Sequence, residues 1–368
     1  MRGLYVHMPF CRAICTYCDF VKEVASPHKR ARYLEALIKE INGVKAELSN
    51  VQTVYIGGGT PSLYDADALG KLLQTIHAHV NPNQIIETTL ECNPEDITLA
   101  FAQQIRNHGI DRISLGVQTF QGELLKFLNR KHRAETTIEA VHHLRTAGFK
   151  RISLDMMSGL IGQTMMMLQD DIKQLLALEP DHISYYSLIL EENTRLWHLL
   201  ERGEINRLDE DLEADMVERV SNLLAEAGYE QYEISNFARP QQQALHNLLY
   251  WQDDDYVGVG AGAHSRLGSY RHENIRSVKY YIEALEAERS PRKSTVPVEG
   301  MKEALMMGLR LTKGVSLKQI ETRYGQSVFA AHPQLLEAVK LGLLEQVNGT
   351  LRLTALGRML GNEVLTRL

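Results

Sequence analysis

"TVYIGGGTPSLYDADALGKLLQTIHAHV", Thr53 to Val80, is the stretch whose reading decides the fold. It opens as a short apolar, β-branched run, breaks into three glycines at Gly57–Gly59, and continues from Asp65 with helical periodicity. Strand, glycine loop and helix in that order make one βα unit. Before it, "GLYVH" (Gly3–His7) is followed, after a loop, by "ARYLEALIKEI", which sets Tyr33, Leu34, Leu37, Ile38 and Ile41 on one helical face. After it, the strand runs are "ETTLECNPE" (Glu87–Glu95), "RISLGVQTF" (Arg112–Phe120), "RISLDMMSGL" (Arg151–Leu160) and "HISYYSLIL" (His182–Leu190). Each is short, apolar and β-branched or aromatic, the pattern expected of strands covered on both faces.

Six such units in series predict an α/β fold, a parallel sheet with crossover helices curved into a partial (β/α)6 TIM-like barrel. Chemistry in such folds gathers at the carboxyl ends of the strands. The unusual residues sit there: His7 and a cysteine loop, Gly57–Thr60, Glu91, Gln118 and Asp155.

The chain then changes character. "LDEDLEADMVERVSNLLAEAGY" reads as a solvated acidic helix with Leu212, Met216, Val220 and Leu223 inward, and "YEQYEISNFARP" as a further strand and turn. From about residue 290 come helices and then "LLEQVNGTLRLT", a hairpin with an Asn-Gly turn, which together predict a mostly helical, winged-helix-like module. The expected domains are 1–235, a connecting segment 236–290, and 291–368. Met301–Leu368 carries nine Lys/Arg against five Asp/Glu, a net of +4, too little to predict nucleic-acid binding.

The whole chain has 368 residues, 44% of them hydrophobic, enough for a full core, and a net charge of −6 without long single-sign blocks. No apolar run approaches membrane-spanning length and no signal peptide is evident, so the expected location is the cytoplasm, with peripheral membrane contact left open. Three of the four cysteines, Cys11, Cys15 and Cys18, fall in a C-x3-C-x2-C pattern. That is no disulfide framework. Three thiolates on one loop can hold a four-iron cluster and leave the fourth iron open for a small molecule. A zinc site completed by His7 or Asp19 and a dithiol redox site at "CTYC" also fit the residues alone. Cys92 reads as a small buried residue.

C-x3-C-x2-C with an aromatic before the third cysteine resembles the signature of the radical S-adenosylmethionine (SAM) superfamily. "LYVHMPFC", "GGGTPS", "LECNPE", "SLGVQTF", "RISLDMMSGL" and "GVGAGAHS" narrow the resemblance to the oxygen-independent coproporphyrinogen III oxidases and the related HemW-type heme chaperones. It implies Cys11, Cys15 and Cys18 as ligands of a [4Fe-4S] cluster, with SAM on the open iron. Tyr5, Tyr17, Gly58, Gly59, Thr60, Glu91, Gln118, Arg130 and Asp155 are then the expected SAM contacts. "GLIGQT" (Gly159–Thr164) departs from the family's GLPGQT, with Ile161 in place of a turn proline.

Three features lean toward the chaperones. Only ten residues precede Cys11, where the oxidases carry an extension. Phe20 stands where they have another cysteine. "HNLLYW" (His246–Trp251) matches the H-N-x-x-Y-W motif of the HemW type, which makes His246 the candidate heme ligand. The expected function is a chaperone that binds heme, the cluster and SAM and delivers heme to acceptor proteins, as a monomer or homodimer. The alternatives are oxidative decarboxylation of coproporphyrinogen III and a zinc or dithiol redox role.

Overall fold

The computed structural model describes residues 1–366 and Leu368. Its first half alternates strands and helices: β1 (Arg2–Met8), α1 (Pro27–Gly43), β2 (Thr53–Gly58), α2 (Ala66–His77), β3 (Glu87–Cys92), α3 (Leu99–Asn107), β4 (Arg112–Gln118), α4 (Gly122–Phe127), α5 (Ala134–Thr146), β5 (Ile152–Ser158), α6 (Met165–Ala177) and β6 (His182–Ser187). Helix starts follow side-chain chemistry. Ser26, Asp65, Thr98 and Thr164 each accept a backbone N–H of the first turn of α1, α2, α3 and α6.

Strands β1 to β6 are all parallel and neighbours in order, as the six units require. Their two faces differ. Leu4, Val6, Val54, Ile56, Leu90, Ile113, Leu115, Ile152, Leu154 and Ile183 are fully buried in the main core under the helices. The alternate residues face the barrel interior and are mostly polar, because the register sets polar beside polar. Tyr55 pairs Thr89 and Thr89 pairs Arg112; Glu91 pairs Ser114, which pairs Ser153, which pairs His182. The expectation of apolar strands thus holds for one face only. The interior is a polar lining suited to a ligand.

Next come α7 (Arg195–Glu201), α8 (Glu210–Glu226), β7 (Glu230–Gln231), β8 (Asn236–Ala238), α9 (Leu245–Trp251), β9 (Asp255–Val259), β10 (His264–Leu267), β11 (Tyr270–Asn274), α10 (Val278–Glu286) and β12 (Arg292–Pro297). Helix α8 buries Met216, Val220 and Leu224, with Leu212 and Leu223 partly covered. Residues 236–290, expected as a connecting segment, supply four strands of the main sheet. Its order is β12-β11-β10-β9-β1-β2-β3-β4-β5-β6-β8-β7. Strand β9 lies parallel to β1, Arg2 against Asp255 through Val6 against Val259, so β1 is an inner strand.

The C-terminal part contains α11 (Met301–Gly308), β13 (Val315–Ser316), α12 (Leu317–Tyr324), α13 (Val328–Ala331), α14 (Gln334–Lys340), β14 (Leu344–Val347), β15 (Thr350–Leu353), α15 (Ala355–Met359) and α16 (Gly361–Leu365). Asn348 and Gly349 both have positive φ, 51° and 76°, as a type I′ hairpin turn between β14 and β15 requires. A separate apolar core of Leu305, Leu309, Leu335, Leu344 and Leu351 holds the helices on the three-stranded wing. Among the described residues no helix is long and apolar enough to cross a membrane.

Candidate functional site

A cavity of about 760 Å³ opens at the carboxyl ends of the parallel strands and reaches into the polar interior. One wall is the loop after β1, which carries Cys11, Cys15 and Cys18, all unpaired and partly exposed to the cavity. Backbone bonds fix this loop at several points. Cys11 N–H donates to Glu23 O at 3.0 Å, Thr16 N–H to Leu128 O at 3.2 Å, and Leu196 N–H to Thr16 O at 2.9 Å.

The glycine run clamps the loop from the other side. Gly59 N–H and Thr60 N–H donate to Met8 O and Phe10 O, each at 2.9 Å. A Cβ on Gly59 would stand 2.8 Å from Phe10 N and Pro9 C, so only glycine lets the two backbones meet. Gly58 has φ +117°, and a Cβ there would meet the His7 ring. With both N–H groups engaged, this run offers a ligand its carbonyl oxygens and the Thr60 hydroxyl.

Burial pushes the Cys11 thiol up to about 11 and raises that of Cys18. Without a cationic partner these sulfurs stay protonated. Arg130 supplies positive charge at the centre of the set. Its Nη1 donates to Cys15 Sγ at 3.6 Å, and its Nη2 donates to Asn93 Oδ1 at 2.9 Å and to Gly116 O.

The acids lie deeper. Glu91 accepts the Tyr55 hydroxyl at 2.7 Å and Gly58 N–H at 2.8 Å, yet burial raises its carboxyl to about 7. Asp155, also raised by burial, accepts from Ser114 at 2.8 Å and Ser153 at 3.2 Å. Gln118 has φ +69° at a register shift where β4 meets β5, a strained conformation that turns the strand end toward the cavity. Tyr5 O–H donates to His7 Nδ1 at 2.9 Å, and His7 Nε2–H donates to Val21 O at 2.8 Å, which fixes that ring's tautomer. His7 is therefore not a free fourth ligand for zinc. No three ligating side chains converge on a single-ion site among the described residues.

The lining suits a cluster and a polar cofactor. Arg130 Nε and Thr89 Oγ1 are buried at the cavity without a hydrogen-bond partner. Unpaired buried groups of this kind are expected where a ligand completes the bonding.

Comparison with known proteins agrees. The Radical SAM superfamily model matches residues 5–175 and the HemN C-terminal domain model residues 297–360. The heme chaperone HemW of Bacillus subtilis is 37% identical over 99% of this chain and 98% of its own length. The chain belongs to the HemW family. Heme chaperone HemW of Escherichia coli is 32% identical over 99% of this chain and 97% of its own. The solved coproporphyrinogen III oxidase (HemN) of Escherichia coli, a radical SAM enzyme, superposes with a TM-score of 0.87 at 23% identity, covering 100% of this chain and 89% of that one. At that identity the likeness shows the shared fold.

All twelve residues expected at the cluster and SAM positions of this HemW-family chain line the one cavity. His246 does not. It is fully buried on α9, its Nδ1 bonded to Thr53 Oγ1 at 2.8 Å and its Nε2 to the Tyr250 hydroxyl at 2.9 Å. Burial holds the ring neutral, with its pKa lowered to about 3. In this conformation it has no free nitrogen for iron. Of the same motif, Asn247 and Tyr250 reach the cavity. Sequence reading passed over Tyr55, Asn93, Ser114 and Ser153, which hold Glu91, Arg130 and Asp155 in place. Alternation along each strand was the signal that could have found three of them.

Proposed function

We propose that this chain is a heme chaperone that holds a [4Fe-4S] cluster on Cys11, Cys15 and Cys18, binds SAM against the strand ends, and passes heme to acceptor proteins in the cytoplasm. The observation that carries the reading is the convergence of three cysteines and nine polar or glycine positions on one cavity, in a chain whose full-length relatives are heme chaperones. Bound there, the cluster and SAM would supply one-electron chemistry. The protein's own contribution is position and charge. Arg130 keeps a positive charge beside Cys15 and favours thiolate ligation. Glu91 and Asp155 offer carboxylate acceptors for hydroxyls or for positive charge on the cofactor, and Tyr5 and Tyr17 close the site against water. Phe20, on the rim and 69% exposed, adds no thiol where the oxidases have one.

The test is anaerobic reconstitution with iron and sulfide, then heme loading and incubation with an apo-hemoprotein. The expected result is a four-iron protein that binds heme and gives it up to the acceptor, with coproporphyrinogen III left unchanged. Protoporphyrinogen formation would overturn the reading in favour of the oxidase. A colourless preparation that takes up zinc and no iron would overturn it in favour of a zinc protein.

A further inference from the structure

Glu40 lies on the buried face of α1, outside the cavity, 5% exposed and with no ion pair among the described residues. Burial pushes its carboxyl up to about 7, so the fold carries a cost here that an apolar side chain would avoid. Every partner it has is a donor. Gly260 N–H donates to Oε2 at 2.8 Å, Asn274 Nδ2 to Oε1 at 2.6 Å, and the Tyr281 hydroxyl to Oε2. Gly260 opens the turn between β9 and β10. Asn274, at the end of β11, closes over that turn, its Nδ2 also donating to Gly260 O and its N–H to Ala263 O, each at 3.0 Å. Two helical turns before Glu40, on the same face of α1, Tyr33 reaches the same turn. Its hydroxyl accepts Ala261 N–H at 2.8 Å and donates to His7 O at 2.9 Å.

The turn held in this way braces the cysteine loop. Gly262, with φ +71°, lies so close to Val21 that a Cβ on it would stand 2.7 Å from Val21 Cγ2. Gly260, with φ +105°, passes over the end of β1, where a Cβ would stand 2.5 Å from His7 O. Val21 O accepts His7 Nε2–H at 2.8 Å. Just beyond it, Glu23 closes the loop: its N–H donates to Pro9 O at 2.8 Å and its carbonyl accepts Cys11 N–H at 3.0 Å. Direct contacts therefore run from Glu40 through Gly260–Gly262 to the limb that returns from Cys18 to Glu23. Val21, Lys22, Gly262 and Ala263 stand on the cavity wall, and Glu40 stands behind them.

A carboxylate serves these three donors at once, and an amide does not. Glutamine has a single acceptor oxygen, and its NH2 would face either Asn274 Nδ2 or Gly260 N–H. Turning the Asn274 amide round would set its oxygen against Gly260 O, which now accepts from it. We propose that Glu40 is a positioning residue for the iron–sulfur site. Through the β9–β10 turn it holds the Val21–Glu23 limb of the cysteine loop, and so sets how firmly the three thiolates keep their cluster. This rests on the reading of Cys11, Cys15 and Cys18 as cluster ligands and names the support behind them.

The experiment is anaerobic reconstitution of wild type, Glu40→Gln, Tyr33→Phe and Asp181→Asn, followed by exposure to a ferrous-iron chelator while the cluster absorption is recorded. Melting of each protein is followed by circular dichroism. Asp181 accepts Arg145 Nη1 at 2.8 Å and Ile152 N–H at 2.9 Å at the start of β5, far from the cysteine loop, so its variant controls for lost stability alone. Glu40→Gln should load iron and then lose it about tenfold faster than wild type, the low end of what loss of a supporting partner costs a metal site. Tyr33→Phe should lose it several-fold faster. Asp181→Asn should lose it at the wild-type rate even where its Tm falls. A Glu40→Gln protein that keeps its cluster as wild type does overturns the proposal and leaves the cluster reading intact. So does an Asp181→Asn protein that sheds iron as fast as Glu40→Gln. If Glu40→Gln does not fold, Tyr33→Phe decides, and a wild-type rate there overturns the proposal. If wild type itself takes up no iron, the cluster reading falls, and its support with it.

Discussion

Glu87, fully buried at the base of the barrel, is the most exacting test of how this fold supports its site. Its carboxylate accepts Arg112 Nε at 2.9 Å, Leu245 N–H at 3.1 Å and His246 N–H at 2.9 Å. It therefore neutralises a guanidinium that is 2% exposed and also holds the N-terminus of α9, the helix carrying Asn247 and Tyr250 into the cavity. Glu87→Gln keeps the size and removes the charge. Breaking one partner of a buried ion pair costs about 3–5 kcal/mol, because the remaining charge has no compensation. For 368 residues, an unfolding entropy of about 2.1 cal/mol/K per residue converts this to a fall in Tm of about 4–7 °C. Thermal unfolding by circular dichroism measures it. The double variant Glu87→Gln/Arg112→Met removes the stranded charge and should recover part of the loss. A single variant that melts like wild type, or a double that melts below the single, would refute the reasoning.

Gly59→Ala should leave the barrel folded while preventing cluster assembly, since the new Cβ meets the backbone of Pro9 and Phe10; iron content after reconstitution reads this out. Cys15→Ala should abolish the visible absorption of the reconstituted cluster, with secondary structure retained. Glu40 and Glu91 are both pushed up to about 7 by burial, so the folded state favours their protonated forms. Stability should be greatest below about pH 4.5 for these two groups and fall as pH rises to about 7, by about 3 kcal/mol for each. Glu40→Gln should remove about half of that slope in a series of melts across the range, and an unchanged slope would contradict the burial argument.

The six βα units were legible because each strand carries its apolar face in the sequence, and because glycine or a capping residue punctuates each helix. Site positions were legible where the chemistry is local: three cysteines within eight residues, a glycine run, acids at strand ends. What was not legible depends on partners far along the chain. "DYVGV" follows an acidic turn and contains a glycine, so nothing nearby identifies it as the strand that pairs with β1. The Asn-Gly hairpin, by contrast, could be read from two residues. His246 resembled a ligand because its motif is compact and aromatic. Its burial comes from Thr53 and Gly3, residues nearly two hundred or more positions away.

The pairing of β1 with β9 also has a consequence in time. Arg2 and Asp255 are 253 positions apart, and at about 5–20 residues per second a ribosome needs about 13–50 s to travel between them. Throughout that interval β1 has an open edge, and the cysteine loop at its end lacks the β9–β10 turn that braces Val21. A cluster of the proposed kind would therefore meet its finished cradle only late in synthesis, and a truncated product would have thiols without it.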